Sequence, residues 1–153
     1  MRRHAASVCV VTLPGDEDLN GMTITAATSF SMDPPAVLIC VNKAASVASR
    51  LQLDQQFGLT LLASDQEEIA DAFAKSPSGR DRFTHGEWAH TQTAPRLSGA
   101  VSNLTCTVVE TIAYGSHVAV IGRVEEVLND PSGIGLLYYN GNYERLSHRG
   151  MQP

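Results

Sequence analysis

A chain of 153 residues with 43% hydrophobic composition has room for one domain with a substantial core, spanning 1–153, and not for two ordinary ones. Its formal charge of −5, with only 11 Lys and Arg spread thinly, excludes a surface built to neutralise a nucleic-acid backbone. The best apolar run, Ala36 to Val41, has six residues against the ~18 of a membrane span, so neither a nucleic acid nor a membrane is the expected partner.

The opening, MRRHAASVCVVT, sets two arginines before Val8 to Val11, a stretch far shorter than a signal-peptide core, and a cytoplasmic address is expected. Ser7 to Thr12 reads as a strand that ends at Pro14-Gly15 and a polar turn. Gly21 to Thr28, β-branched with small residues between, reads as a second strand pairing with the first. Asp33-Pro34-Pro35 breaks the chain, because proline lacks a backbone donor and biases its predecessor toward extended geometry. Ala36 to Asn42 then reads as a buried strand.

Ser46 to Leu53 puts Val47, Arg50 and Leu51 at helical spacing, which predicts a short helix capped by Ser46. Phe57 to Leu62 is strand-like. In SDQEEIADAFAK, Ser64 and Glu67 make a capping-box pattern and Ile69 with Phe73 an i, i+4 apolar pair, the clearest helix of the chain. Ser76 to Pro95 has no periodicity and reads as a long loop, of the kind that is functional or mobile.

Beyond it, the alternation around Leu104, Cys106 and Val108 and again around Val118 to Val124 predicts a long hairpin turning near Ala113 to Ser116. Leu136 to Tyr139 and Tyr143 to Leu146 flank Asn140-Gly141-Asn142, where Asn-Gly suits a tight turn with positive φ. About seven strands and two short helices, without regular alternation, favour an antiparallel barrel or sandwich with helices outside. Cys9, Cys40 and Cys106 are odd in number, widely spaced and set in apolar or alternating segments. They read as buried strand thiols, not as a disulfide framework or a zinc site.

The dinucleotide fingerprint, the phosphate loop and the nucleophile elbow are all missing. His85, Glu87 and His90 have the wrong spacing for one helical face, and no metal site is expected. His117, at the hairpin mouth after Tyr114-Gly115-Ser116, is either a solvated turn residue or a functional one. Arg82-Phe83 is either a surface arginine beside a loop anchor or a phosphate ligand.

Taken in order, RRHAASVCVVT, GMTITAATSFSMDPPAVLICVNKAAS, FGLTLLASDQEEIADAFA, Arg82-Phe83, GSHVAVIGRVEEV and LLYYNGNY resemble the flavin reductase family, the small enzymes that supply reduced flavin to two-component monooxygenases. The resemblance implies a mainly β (α+β) fold, a six- to seven-stranded antiparallel Greek-key split β-barrel of the FMN-binding type with short flanking helices, and a homodimer. It implies hydride transfer from NADH or NADPH to FMN or FAD, with reduced flavin diffusing to a partner monooxygenase.

By the same resemblance, Thr23, Thr25, Ala26, Thr28, Ser29 and Phe30 line the isoalloxazine edge. Lys43, Ser46, Val47, Ser49 and Arg50 hold the ribityl-phosphate end, helped by Arg82 beside Phe83. His117, after Gly115, sits by the nicotinamide as the catalytic residue, and Tyr143 closes the site. Such a site fits the missing motifs, since the cofactors carry the chemistry and the protein aligns them.

Two positions depart from the family pattern. Ser116 replaces an acid beside His117, and Thr60 stands where many members carry Asn. The chain also begins later than typical members, so a preceding helix and its dimer contact are expected to be missing. The alternatives are a flavin-binding or electron-relay protein without turnover, and an interaction domain in which Thr23 to Ser31 merely solvates a strand.

Overall fold

The computed structural model describes residues 3–15, 19–75 and 79–146. In chain order its elements are β1 (Ala6–Ser7), β2 (Cys9–Leu13), β3 (Asn20–Ile24), β4 (Ala27–Met32), β5 (Pro35–Asn42), β6 (Gln56–Leu61), α1 (Glu67–Lys75), β7 (Trp88–Ala89), β8 (Arg96–Leu97), β9 (Ser102–Tyr114), β10 (His117–Asn129), β11 (Leu136–Tyr139) and β12 (Asn142–Arg145). Seven strands form one antiparallel sheet in the order β3-β2-β6-β9-β10-β5-β4. The fold is mainly β, as expected, and among the described residues it has one α-helix where the sequence predicted two short helices.

The expected strand at Gly21–Thr28 is two strands. β3 pairs with β2 at one edge of the sheet, and β4 pairs with β5 at the other. Only Thr25 and Ala26 separate them, so the sheet curls enough for the chain to pass from one edge strand to the other at this corner. There the Cys40 amide donates to the Ala26 carbonyl at 2.9 Å. No breaker residue marks the bend, since β-branched and small residues suit either half equally.

Curling encloses a core of Val11, Ile24, Ile39, Val41, Phe57, Leu59, Val108 and Val120, all buried. β2 is buried along its whole length, because Val10, with Val8 just ahead of the strand, faces a second cluster built on α1 with Ile69, Phe73, Phe83 and Leu136. At Gly122, beside a bulge in the β9–β10 ladder, an added Cβ would lie 2.5 Å from the Phe57 ring, so the strand passes too close for a side chain.

Two expected helix starts differ. The Ser46–Leu53 segment forms only a 3-10 turn at Ala48–Arg50, with Val47 at its N-cap and no side-chain cap. Ahead of α1 the Gln66 side-chain carbonyl accepts from the Ala63 amide at 2.9 Å, while the Ser64 amide donates to the Ile134 carbonyl. The expected long loop, of which residues 76–78 lie outside the described residues, has structure of its own. A 3-10 turn spans Asp81–Thr84, β7 pairs with β8, and Phe83 and Trp88 pack with Phe73 at centroid separations of 5.0–5.2 Å. Burial of these rings gives the segment its own anchor.

The hairpins follow expectation. β9 and β10 turn at Gly115-Ser116, with Gly115 at φ +53°, and β11 and β12 turn at Asn140 and Gly141, both at positive φ. Cys9 and Cys106 are buried and Cys40 is half-buried, all three free thiols.

Candidate active site

The side chains of directly opposed residues share a face of an antiparallel sheet. His117 opposes Asn42, Ala119 opposes Cys40, and Ile121 opposes Leu38, which in turn opposes Thr28 on the edge strand β4. His117 therefore lies on the same outward face as Cys40, Leu38 and Thr28. It stands two positions from the Cys40 level, or ~7 Å along the strand. Beside that face is an open cleft of about 690 Å³, lined by Thr25, Ala26, Ala27 and Thr28 together with Leu38, Cys40, Tyr138 and the His4–Ser7 segment. Thr25, Ala26, Thr28, Ser29 and Phe30 are all exposed.

The hairpin mouth is held from β5. The Lys43 ammonium donates to the Gly115 carbonyl at 2.8 Å, and the Lys43 amide donates to the Ser116 carbonyl at 2.9 Å. The Ser116 hydroxyl lies 2.9 Å from His117 Nδ1. A serine can donate or accept there, so it orients the ring without imposing the tautomer that a carboxylate would. Thr60, the other departure, is 1% exposed and donates to Asn103 Oδ1 at 3.0 Å. Asn103 in turn bonds the Leu97 amide and carbonyl, so Thr60 braces β8.

A second group gathers around the start of β3. Asn20 Nδ2 donates to Ser46 Oγ at 2.8 Å, Arg82 donates to the Gly21 carbonyl and to Asn20 Oδ1, and Arg50 donates to the Pro14 carbonyl at 2.8 Å. Ser46 and Arg82, far apart in sequence, thus come together through Asn20, with Arg50 on the nearby Pro14 carbonyl. Partial burial lowers the Arg82 pKa from its ordinary value, but a guanidinium stays charged. Sequence reasoning missed Asn20, which carries no motif; its only signal is an amide placed one residue before Gly21.

Other candidates lie elsewhere. Thr23 Oγ1 donates to the Ala70 carbonyl at 2.6 Å and ties β3 to α1. Tyr143 donates to Asp71 at 3.0 Å, and desolvation, then Asp71, push its phenol up to about 12. Thr23, Thr25 and Tyr143 border a smaller cleft of about 330 Å³ that shares Thr25 and Tyr138 with the first. The side chain of Val47, 0% exposed, is in the core, and Phe83, largely buried, borders a separate cleft of about 350 Å³ with Leu19, Arg80, Thr84 and His90. Ser49 lines a third cleft with Lys43, Gln52 and Val118. Among the described residues no group of three or more His, Cys, Asp or Glu could hold a metal ion, and no helix is long and apolar enough to cross a membrane.

Comparisons with known proteins bear on the family of the chain as a whole. The chain is 36% identical over 154 residues to the reductase component of an FADH(2)-dependent resorcinol hydroxylase from a Rhizobium strain, covering 99% of this chain and 86% of that protein. It is 34% identical over 151 residues to an NADH-dependent flavin reductase of a Rhodococcus species, covering 97% and 84%. The NADH:FAD oxidoreductase SgcE6 of Streptomyces globisporus C-1027, solved in complex with NAD and FAD fragments, superposes with a TM-score of 0.89 at 32% identity, covering 97% of this chain and 89% of that one. The family model described as "Flavin reductase like domain" matches residues 1–147, and the chain belongs to that family.

Proposed function

We propose that this protein is an NADH-dependent flavin reductase that passes a hydride to FMN or FAD and supplies reduced flavin to a separate monooxygenase. The observation that carries the reading is the register that puts His117, Cys40, Leu38 and Thr28 on one face beside the Thr25–Thr28 cleft. The residues present suit a flavin. β4 is an edge strand paired only with β5 among the described residues, so its other edge has backbone donors and acceptors to offer the polar rim of an isoalloxazine. Ala26, Ala27 and Leu38 offer apolar surface to its plane.

Flavin and nicotinamide supply the hydride chemistry when bound. The chain binds, orients and excludes water. His117 sits by the nicotinamide, with its ring held by Ser116 and its turn by Lys43. Ser46, Arg50 and Arg82 provide a hydroxyl and two guanidiniums for a flavin phosphate. Asn20 and Ala26 stand six positions apart along β3 and the corner, at most ~20 Å, so the two groups would hold the phosphate and ring ends of one flavin mononucleotide.

In this reading the curled sheet is a split barrel closed by the bent β3–β4 strand, the whole chain acts as one domain, and the protein is a cytoplasmic homodimer. Support for the dimer comes from the outward face itself. Ile112 opposes Ala119, which opposes Cys40, and Tyr114 opposes His117; Ile112 and Tyr114 are 52% and 89% exposed. A second copy covering this apolar row would also shield the hydride-transfer site from water.

The test is steady-state oxidation of NADH followed at the nicotinamide absorbance, with FMN, FAD or riboflavin added in turn. At least one flavin is expected to raise the rate well above the flavin-free control. Tight flavin binding with no flavin-dependent oxidation would instead establish a non-catalytic flavoprotein.

A further inference from the structure

We propose that Asn20 is a positioning residue for the flavin phosphate, fixing the Ser46 hydroxyl as a hydrogen-bond donor toward the anion. The inference rests on the reading of Ser46 and Arg82 as phosphate ligands. Asn20 Oδ1 accepts from the Gly21 amide at 2.8 Å and from Arg82 Nη1 at 3.4 Å, while Nδ2 donates to Ser46 Oγ at 2.8 Å. A backbone N–H and a guanidinium only donate, so the oxygen of the Asn20 amide must face them, and its NH₂ must face Ser46.

A serine hydroxyl has one hydrogen and two acceptor positions. With an acceptor position taken by Asn20, the Ser46 hydrogen is directed elsewhere. Phosphate oxygens only accept, which makes a hydroxyl oriented in this way their complement. Ser46 is exposed, and the neighbouring 3-10 turn carries no side-chain cap, so this hydroxyl is not spent on a local amide. Asn20 is 26 positions from Ser46 and 62 from Arg82. One half-buried amide therefore aligns two prospective phosphate ligands that the backbone alone does not connect.

The experiment measures dissociation constants for FMN and riboflavin, by quenching of flavin fluorescence, on the wild type and on Asn20→Ala, Asn20→Asp, Ser46→Ala and the Asn20→Ala/Ser46→Ala double variant. Riboflavin lacks the phosphate. Asn20→Ala and Ser46→Ala are each expected to weaken FMN about 5- to 20-fold while changing riboflavin by less than about twofold. The double variant is expected to bind FMN well short of the product of the two single losses, because Asn20 acts chiefly through that hydroxyl and only secondarily through Arg82. In Asn20→Asp the Gly21 and Arg82 donors keep their acceptor, but Ser46 must now donate to the new carboxylate. FMN is expected to weaken at least as much as in Asn20→Ala.

An Asn20→Asp variant that binds FMN like the wild type would overturn the proposal, and so would strictly additive single effects or equal losses for FMN and riboflavin. If Ser46→Ala selectively weakens FMN and Asn20→Ala does not, the phosphate reading stands and the positioning role falls. If Ser46→Ala does not distinguish the two flavins, the phosphate reading falls first and the proposal with it. Should Asn20→Ala fail to fold, Asn20→Asp measured alone and on the Ser46→Ala background decides the matter: an FMN loss of the same size in both backgrounds, which charge repulsion alone would give, overturns the proposal.

Discussion

The Lys43 ammonium donates to the Gly115 carbonyl at 2.8 Å across 72 positions of sequence, pinning the turn that carries His117 to the end of β5. The bond is exposed, so its net worth is about 1 kcal/mol. Lys43→Met, which keeps the aliphatic stem and loses the donor, is expected to lower kcat/KM for NADH about 3- to 10-fold. FMN and riboflavin affinities should change alike and little. A selective loss of FMN in a binding titration would move Lys43 to the phosphate group instead.

His117→Ala tests the hydride-transfer face directly. Nicotinamide-dependent turnover is expected to fall about 10- to 100-fold, or roughly 1.4 to 2.7 kcal/mol of barrier, with flavin affinity near that of the wild type. Stopped-flow reduction of pre-bound flavin by NADH separates the two quantities. Parallel loss of flavin binding would show that the histidine holds flavin and not the nicotinamide.

Thr28 is exposed on an edge strand that accepts bulky aromatic residues without penalty to the fold. Thr28→Trp is expected to fill the cleft it lines and weaken flavin binding by about 100-fold or more, with a melting temperature close to that of the wild type. Wild-type affinity in this variant would place the isoalloxazine elsewhere.

The thiols offer a test of the core. Burial pushes Cys9 up to about 12, and burial followed by the charge of Glu125 pushes Cys106 to about 12. Reaction of the native protein with a disulfide reagent at pH 8 is expected to titrate one thiol, the half-buried Cys40, and denaturation should release all three. The unfolded chain gives up these protons near their ordinary value of 9 and the folded chain near 12, so the folded state holds more protons in between. Stability is then fully present below about pH 9 and is lost as pH rises toward 12. Tyr143, raised to about 12 from 10, adds to the upper part of that window. Melting temperatures measured from pH 7 to 11 should be flat and then fall.

Local chemistry made much of this fold legible. The β9–β10 hairpin follows from alternation, and the Asn140-Gly141 turn from residues that tolerate positive φ. Non-local contacts set what was missed. Ser46 looks like a helix cap because its neighbours have helical spacing, yet Asn20, 26 positions away, takes its oxygen. Phe83 and Trp88 sit in a stretch without periodicity, and their order comes from Phe73 on a helix that precedes them. Thr25 and Ala26 have no residue type that marks a corner. That corner exists because β2 and β5 claim opposite halves of one extended segment.

The same corner links ligand affinity to heat resistance. Thr25 and Ala26 are at once the link between the two edge strands of the curled sheet and part of the lining of the larger cleft. A flavin held there binds a surface that exists only in the folded sheet, so it cannot bind the unfolded chain in the same way. At a hundred times its dissociation constant it should add about 2.7 kcal/mol to unfolding, or roughly 5 to 10 °C for a domain of this size. A melting series with increasing flavin therefore reads affinity without any turnover, and it ranks FMN, FAD and riboflavin on one scale.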